Sequence, residues 1–371
     1  MKKVILLIIP LFIMFLTIAS CAKVKSEVLI DSWAFYKNKY INNDGRVIDF
    51  QRDSITTSEG QSYAMLRAVL VNDQKTFDLV YQWSKNNLKR DNDRLFAWLW
   101  GQTKDNGWGI IYKNAASDAD IDIAFALILA NKQWKDKSYL TEAKEVINDI
   151  WNLETKVING QRVLISGVEQ GKSEKIDINP SYFAPYAFRI FGKYDKSHNW
   201  KELVNSSYDL LNRVTLETKT GLPPNWFYMD AVSGKITFDE ASSLKNDFSY
   251  DAIRVFARIY IDYVYSKDKR ALNILEKSRF FIEKYPEPEK DFIFYTNFKN
   301  DGSIRDNDEN IGAISVLIPV FNLYDKNYAT ALYSSKVMKN YNAKGYWADQ
   351  DNYYTQNLSW LGTWMYLNEK K

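Results

Sequence analysis

The sequence is poor in the residues that most often carry enzyme chemistry. Among 371 residues there is one histidine, His198, and one cysteine, Cys21. A single cysteine excludes any disulfide within the chain. It also excludes a zinc site built from several cysteines, and one histidine excludes a multi-histidine metal site. A cysteine–histidine catalytic pair is excluded from the mature protein. A serine–histidine–aspartate triad would have to use His198, which sits in the polar stretch Lys196-Ser197-His198-Asn199 and reads as an exposed loop residue. Charge of one sign is also lacking. Lys+Arg is 49 against Asp+Glu 46, a net of +3, which excludes a strongly basic nucleic-acid binder. Any chemistry must therefore come from carboxylates, tyrosine, arginine or lysine.

What the chain has is apolar and aromatic material. Hydrophobic residues make up 46% and aromatics 15%, with 12 Trp, 25 Tyr and 20 Phe. That is enough for a large core, and aromatic surface suits a ligand with flat faces.

The first twenty residues read as an export segment. Lys2 and Lys3 precede an apolar run from Val4 to Ile18, followed by small residues up to Ala19-Ser20-Cys21. Small residues before the only cysteine resemble a bacterial lipoprotein box. This implies Cys21 as a lipidated mature N-terminus, membrane attachment, and a place at the cell surface or in the periplasm; without lipidation the protein would be secreted. Loss of Lys2 and Lys3 with residues 1–20 takes the net charge from +3 to +1.

From residue 29 to 369 the pattern is helical, with few alternating strand runs. Apolar segments near 58–71, 118–134, 181–192, 250–266, 310–324 and 354–369 alternate with amphipathic ones. The amphipathic partners fall at 73–88, 139–153, 200–214, 268–285 and 327–341, and 29–42 is left to pair with 354–369. Helices apolar all round are buried, while one-sided helices face solvent. Six of each predict an all-α, (α/α)6 barrel forming a single domain over 29–369. The long connections, such as 89–117, 215–249 and 286–309, precede the buried helices. They should therefore gather at one mouth of the ring.

Carboxylates collect where the buried helices start: Glu59, then Asp118 and Asp120, then Asp251, with Tyr182 at the third. Any one of them could merely cap a helix. Together at one mouth they point to function. Two carboxylates across a sugar-sized cleft can divide acid and base work, provided one stays protonated near neutrality. Metal binding reads poorly. Asp118-Ala119-Asp120-Ile121-Asp122 begins like a calcium loop, but Ile123 and Leu129 stand where Gly and Glu are needed, and Asp306/Asp308/Asn310 fails likewise at Ile311 and Leu317. No metal or other cofactor is expected. Trp98, Trp100, Trp108, Trp226 and Tyr228 crowd the same connections. Trp108, between Gly107 and Gly109, is the best placed of them to present an exposed face to a sugar.

The segment Ala116-Ser117-Asp118-Ala119-Asp120-Ile121-Asp122 through Trp134 resembles the defining motif of glycoside hydrolase family 8 over its whole length. Thr57-Ser58-Glu59-Gly60-Gln61-Ser62-Tyr63 is similar to that family's catalytic-acid segment, and Tyr250-Asp251-Ala252-Ile253-Arg254 to its Tyr-Asp-x-x-Arg segment. Arg46-Val47-Ile48-Asp49 and Ala97-Trp98-Leu99-Trp100-Gly101 are similar to the endoglucanases that accompany bacterial cellulose synthases. The resemblance implies an (α/α)6 barrel and inverting endo-hydrolysis of a β-1,4-linked polysaccharide. It implies Glu59 as general acid, Asp251 as base, and Asp118 as an acid that contacts and distorts the sugar. Tyr250 and Arg254 would position the base and its water. Asp120, Tyr182, Trp100, Trp108 and Trp226 complete the expected substrate-binding set. Substrates of the family include cellulose, mixed-linkage glucan, xylan and chitosan, and an exopolysaccharide synthase is an implied partner. A second reading stays open, a non-catalytic glycan-binding protein associated with such a synthase.

Overall fold

The computed structural model describes residues 27–238 and 243–369. The expected export segment 1–20 and Cys21 lie outside the described residues.

Twelve helical segments form two concentric layers. The inner helices are α2 (Ser58–Leu70), α4 (Ser117–Trp134), α6 (Pro185–Tyr194), α8 (Ile253–Ser266), α10 (Ile311–Asn322) and α12 (Tyr353–Glu369). The outer ones are α1 (Glu27–Tyr40), α3 (Gln74–Asn87), α5 (Lys137–Leu153), α7 (Lys201–Glu217), α9 (Lys269–Leu275) and α11 (Lys326–Leu332). Each inner helix packs on the outer helix that follows it, and α12 packs on α1, closing the ring between the two ends of the chain. This is the (α/α)6 barrel. Among the described residues no helix is long and apolar enough to cross a membrane.

The division into layers follows from side-chain chemistry. In α4 the run Ala119 to Ala130 is entirely buried, because every face of the helix meets another helix. In α3 only Phe77, Val80, Tyr81, Trp83 and Ser84 are buried, which leaves the Lys- and Gln-bearing face in water. Caps set the starts. Thr57 Oγ1 accepts from Gly60 N at α2, and Asp73 from Thr76 N at α3. Ring closure needs a close approach. A Cβ on Gly362 would lie 2.2 Å from the Ser315 backbone, so α12 can settle against α10 only with glycine there. The seam with α1 and α2 is polar and aromatic. Arg67 donates to Asn357 Oδ1 at 3.2 Å and to the Ser32 carbonyl at 3.1 Å, while the Trp360 indole donates to the Leu29 carbonyl at 3.0 Å.

Two outer helices depart from the sequence reading. The segment 268–285 is broken into α9, a 3-10 turn Glu276–Ser278 and a short helix Arg279–Lys284; residues 327–341 are α11 followed by a π-turn Tyr333–Met338. Strand structure is also more abundant than expected. β1 (Thr56–Thr57), β2 (Ala97–Gln102) and β3 (Trp108–Ala115) form an antiparallel sheet at the barrel mouth. β4 (Thr155–Ile158) and β5 (Gln161–Leu164) form a hairpin, and β6 (Lys175–Ile178) pairs with β7 (Phe227–Asp230). All lie in connections leading to inner helices. The bulged ladder of β2 and β3 breaks the strict alternation that would have revealed it in the sequence.

Candidate active site

A cleft of about 650 Å³ opens at the mouth where the inner helices begin. Glu59, Asp251, Arg254, Tyr182, Tyr250 and Trp226 line it, together with Trp98, Tyr112, Tyr353 and Tyr354. Asp118 lies just beneath, 2% exposed.

Arg254 organises the carboxylates. Its Nη1 donates to Glu59 Oε2 at 2.6 Å and to Asp118 Oδ2 at 2.9 Å, and its Nη2 donates to Asp251 Oδ1 at 2.7 Å. One positive charge thus faces three carboxyls from three sectors of the ring. Full ionisation of all three would leave a net negative charge in a poorly solvated site, so one proton is retained most cheaply. Burial raises the Glu59 carboxyl most, and Asp118 and Asp251 add to it. Arg254 and the Tyr353 hydrogen bond oppose this, and the result is about 7. Burial also raises Asp118, opposed by Arg254 and Arg258.

Asp251 is the most open of the three, its side chain 37% exposed against 20% for Glu59. The Trp226 indole donates to its Oδ2 at 2.9 Å, so both oxygens are oriented by fixed donors. Asp251 does not lie in the helix itself but in the turn before α8. Asn225 holds that turn: its Oδ1 accepts from Ser249 N at 3.1 Å and from Ala252 N at 3.0 Å. One turn further along the same two helices, Arg258 forms a two-pronged pair with Asp122 at 2.8 Å in each prong. The spacing of Asp118 and Asp122 on α4 matches that of Arg254 and Arg258 on α8, giving two stacked Asp–Arg rungs between these inner helices.

The carboxylates of the two calcium-like runs are bonded to protein donors. Asp118 accepts from Ala119 N and Arg254 and Asp122 from Arg258, while Asp306 accepts from Asn297 and Asp308 from Tyr250.

The structure brings together Glu59, Asp118, Asp251, Arg254, Tyr182 and Trp226. Tyr250 lines the cleft, but its hydroxyl donates to Asp308 at 2.7 Å rather than to Asp251, and its carbonyl accepts from Tyr354. Asp120 does not reach the cleft. It is fully buried behind it, its Oδ1 accepting from Phe96 N at 2.9 Å, because two residues along a helix from Asp118 is a different face. Trp100 and Trp108 also lie off the cleft lining. Their rings stack on each other, 5.3 Å apart at 25°, with the Arg46 guanidinium 4.3 Å and 4.7 Å from the two centroids. Trp98 turns into the cleft against Tyr112, while Trp100 packs edge-on against Trp83. Trp108 is nonetheless 52% exposed.

Sequence reasoning missed Tyr353, whose hydroxyl donates to Glu59 Oε1 at 3.3 Å, and Tyr354, Tyr63, Tyr112 and Asn225. Tyr353 begins α12, an inner helix. The helix-start rule that found Glu59 could have found it too, had hydroxyls been counted with the carboxylates.

A barrel with its acids gathered at one mouth, and a groove walled by indole and phenol rings, defines a class of enzymes that cut glycans. The comparisons with known proteins agree. The chain belongs to glycosyl hydrolases family 8, whose profile matches residues 5–300. It is 33% identical over 270 residues to an endoglucanase of Escherichia coli (strain K12), covering 70% of each chain. It is 32% identical over 234 residues to an endoglucanase of Cellulomonas uda, covering 63% of each. Among solved structures, a family 8 endoglucanase from Klebsiella pneumoniae superposes with a TM-score of 0.74 at 25% identity, covering 91% of this chain and 99% of that one. The endo-1,4-D-glucanase from Vibrio fischeri ES114 gives 0.73 at 27%, covering 90% and 93%.

Proposed function

We propose that this glycoside hydrolase is an inverting endo-β-1,4-glucanase that cuts a cellulose-like exopolysaccharide, with Glu59 as general acid and Asp251 as general base. The observation that carries the reading is the single Arg254 guanidinium shared by Glu59, Asp118 and Asp251 at 2.6–2.9 Å. It explains how one carboxyl keeps its proton near neutrality while another is held oriented beside open cleft. Glu59, raised to about 7, protonates the departing glycosidic oxygen. Asp251, the more exposed of the pair, takes a proton from water attacking the opposite face of the sugar. Asp118 lies beneath the cleft, 2% exposed, and acts through Arg254, which it helps to hold in place. Trp98, Tyr112 and Trp226 offer ring faces for stacking on glucosyl units. The endoglucanase names of the E. coli and Cellulomonas uda relatives support a β-glucan substrate.

The acid is tested by Glu59→Gln. Turnover of a soluble β-1,4-glucan should fall by about 10³-fold or more, while glycan binding and the circular dichroism spectrum persist. Turnover within about tenfold of wild type would remove Glu59 from the role of acid. The same experiment separates this reading from a non-catalytic glycan binder, since a binder would show no turnover to lose.

Export and lipid attachment rest on the sequence alone, on Lys2-Lys3, the apolar run and Cys21. A lipidated Cys21 would hold the enzyme at the membrane beside a polysaccharide synthase, provided a second acyl chain or contact strengthens the anchor. Wild type should fractionate with membranes and Cys21→Ser should not. Unacylated wild-type protein in the medium would contradict the anchor.

A further inference from the structure

Behind the cleft lies a pair of carboxyls that the hydrolytic reading leaves without a task. Asp120, in the first turn of α4, and Glu154, the residue that ends α5, are both 0% exposed and within hydrogen-bonding reach of each other. Asp120 Oδ1 accepts from Phe96 N, but its Oδ2 and both Glu154 oxygens meet no donor from the protein. Two ionised carboxylates are acceptors only, and such an arrangement buried would be strongly repulsive. One proton between them turns the repulsion into a charge-assisted hydrogen bond.

We propose that Glu154 is protonated in the working enzyme and donates to the Asp120 carboxylate, so that this one-proton pair positions both walls of the glycan cleft.

The helix ends decide which partner holds the proton. Asp120 sits at the positive N-terminus of α4 and has the Phe96 amide as a donor, and both favour its anionic form. Glu154 sits at the negative C-terminus of α5 and has no donor, which favours its neutral form. Burial pushes both carboxyls well above the usual range, and the charges of Asp120 and Asp118 push Glu154 further. The other charged groups facing the pair are Arg90 and Asp93, on the segment leading into β2. Arg90 opposes the rise in both carboxyls, and Asp93 adds to that of Asp120.

The pair touches both walls through the backbone. On one side the Phe96 N–H that Asp120 accepts is two residues before Trp98, which lines the cleft against Tyr112. On the other side the Glu154 carbonyl accepts from Ile165 N at 2.9 Å, next to Ser166 and Gly167 of the facing wall. That wall comes close to β3. A Cβ on Gly167 would lie 2.2 Å from the Ala115 carbonyl, the end of β3. The pair is therefore a positioning device; neither residue reaches substrate.

The spectroscopic test does not depend on which glycan is cut, so it stands apart from the proposed function; the kinetic arm rests on that reading. An infrared difference spectrum of wild type minus Glu154→Gln at pH 8 should contain the C=O band of a protonated carboxyl. Glu154→Gln, whose amide N–H still donates to Asp120, should keep kcat/KM on cello-oligosaccharides within about threefold of wild type. Glu154→Ala should raise KM by roughly tenfold with a smaller loss in kcat, because the walls shift while Glu59, Arg254 and Asp251 stay. If Glu154→Ala does not fold, the infrared band and the glutamine variant still decide. Absence of the band, or a glutamine variant as damaged as the alanine one, would overturn the proposal.

Discussion

The Arg254 guanidinium donates to Glu59 at 2.6 Å from a helix start on a different sector of the barrel. This bond bears on the proton affinity of Glu59, the proposed acid, from both sides. Arg254 lowers it, yet by gathering Asp118 and Asp251 around the same point the arginine also brings in the charges that raise it. Arg254→Met should therefore act in two ways. Turnover should fall by at least about 10²-fold, as for loss of a preorganised electrostatic partner. The residual alkaline limb of the pH–rate profile should move to higher pH, since Glu59 loses its main opposing charge. Removing one partner from a buried charge cluster costs about 3–5 kcal/mol, so chemical denaturation must show that the variant is folded under assay conditions. An unmoved alkaline limb in a folded variant would contradict the arrangement.

For the wild type, the acid's protonated form should be lost around pH 7, with kcat/KM falling tenfold per pH unit above it. Stability carries the same signature. A carboxyl raised from 4.5 to about 7 binds its proton more tightly folded than unfolded. Its contribution is complete below the unfolded value and is lost as pH rises through about 7. Denaturation midpoints of wild type and Glu59→Gln, measured between pH 4 and 8, should therefore diverge, with the wild type showing the steeper decline as pH rises. Parallel curves would place the shifted group elsewhere.

Trp226 donates to Asp251 at 2.9 Å, and in the proposed mechanism this bond would couple substrate binding to the base. Trp226→Phe keeps a ring in the cleft wall and removes the donor. It should lower kcat by roughly tenfold with KM within a factor of two, the loss expected for one hydrogen bond to a charged group. Trp226→Ala should raise KM as well. Equal effects of the two variants on kcat and KM would mean that the indole serves only as a stacking surface.

Ring closure rests on Trp360, fully buried on α12 and bonded to the Leu29 carbonyl of α1. Trp360→Ala should cost about 3–5 kcal/mol in urea denaturation, with the active-site pH profile unchanged in the folded fraction. A cost below about 1 kcal/mol would mean that the two chain ends contribute little to holding the barrel together.

The parts of this molecule that the sequence reveals are the parts governed by helical period. The uninterrupted apolar run of α4 and the one-sided pattern of α3 announce an inner and an outer helix. The acids at the inner starts point to Glu59, Asp118 and Asp251. What stays hidden depends on tertiary contact. Asp120 looks like Asp118 in sequence, but 100° of rotation per residue sends it behind the cleft. Trp100 and Trp98 look equivalent, but one packs on Trp83 and the other meets Tyr112 in the cleft. Tyr353 becomes a partner of Glu59 only when α12 closes the ring, 294 residues away in sequence. Asn225, which shapes the turn carrying Asp251, is an ordinary loop asparagine until its two accepted N–H bonds are seen.

The central claim is that Glu59 and Asp251 work as acid and base on opposite faces of the sugar, with no covalent intermediate. Inverting pairs stand about 6.5–9.5 Å apart to admit a water, against about 5–5.5 Å in retaining ones. Here the Arg254 guanidinium bonds to both carboxyls, to Glu59 through Nη1 and to Asp251 through Nη2. The decisive measurement is the anomeric configuration of the first product from a β-1,4-linked oligosaccharide, read by proton NMR before mutarotation. The account predicts the α-anomer first, with the same anomer from Asp118→Asn at reduced rate. An initial β-anomer, or a glycosyl ester trapped on Asp118, would contradict it.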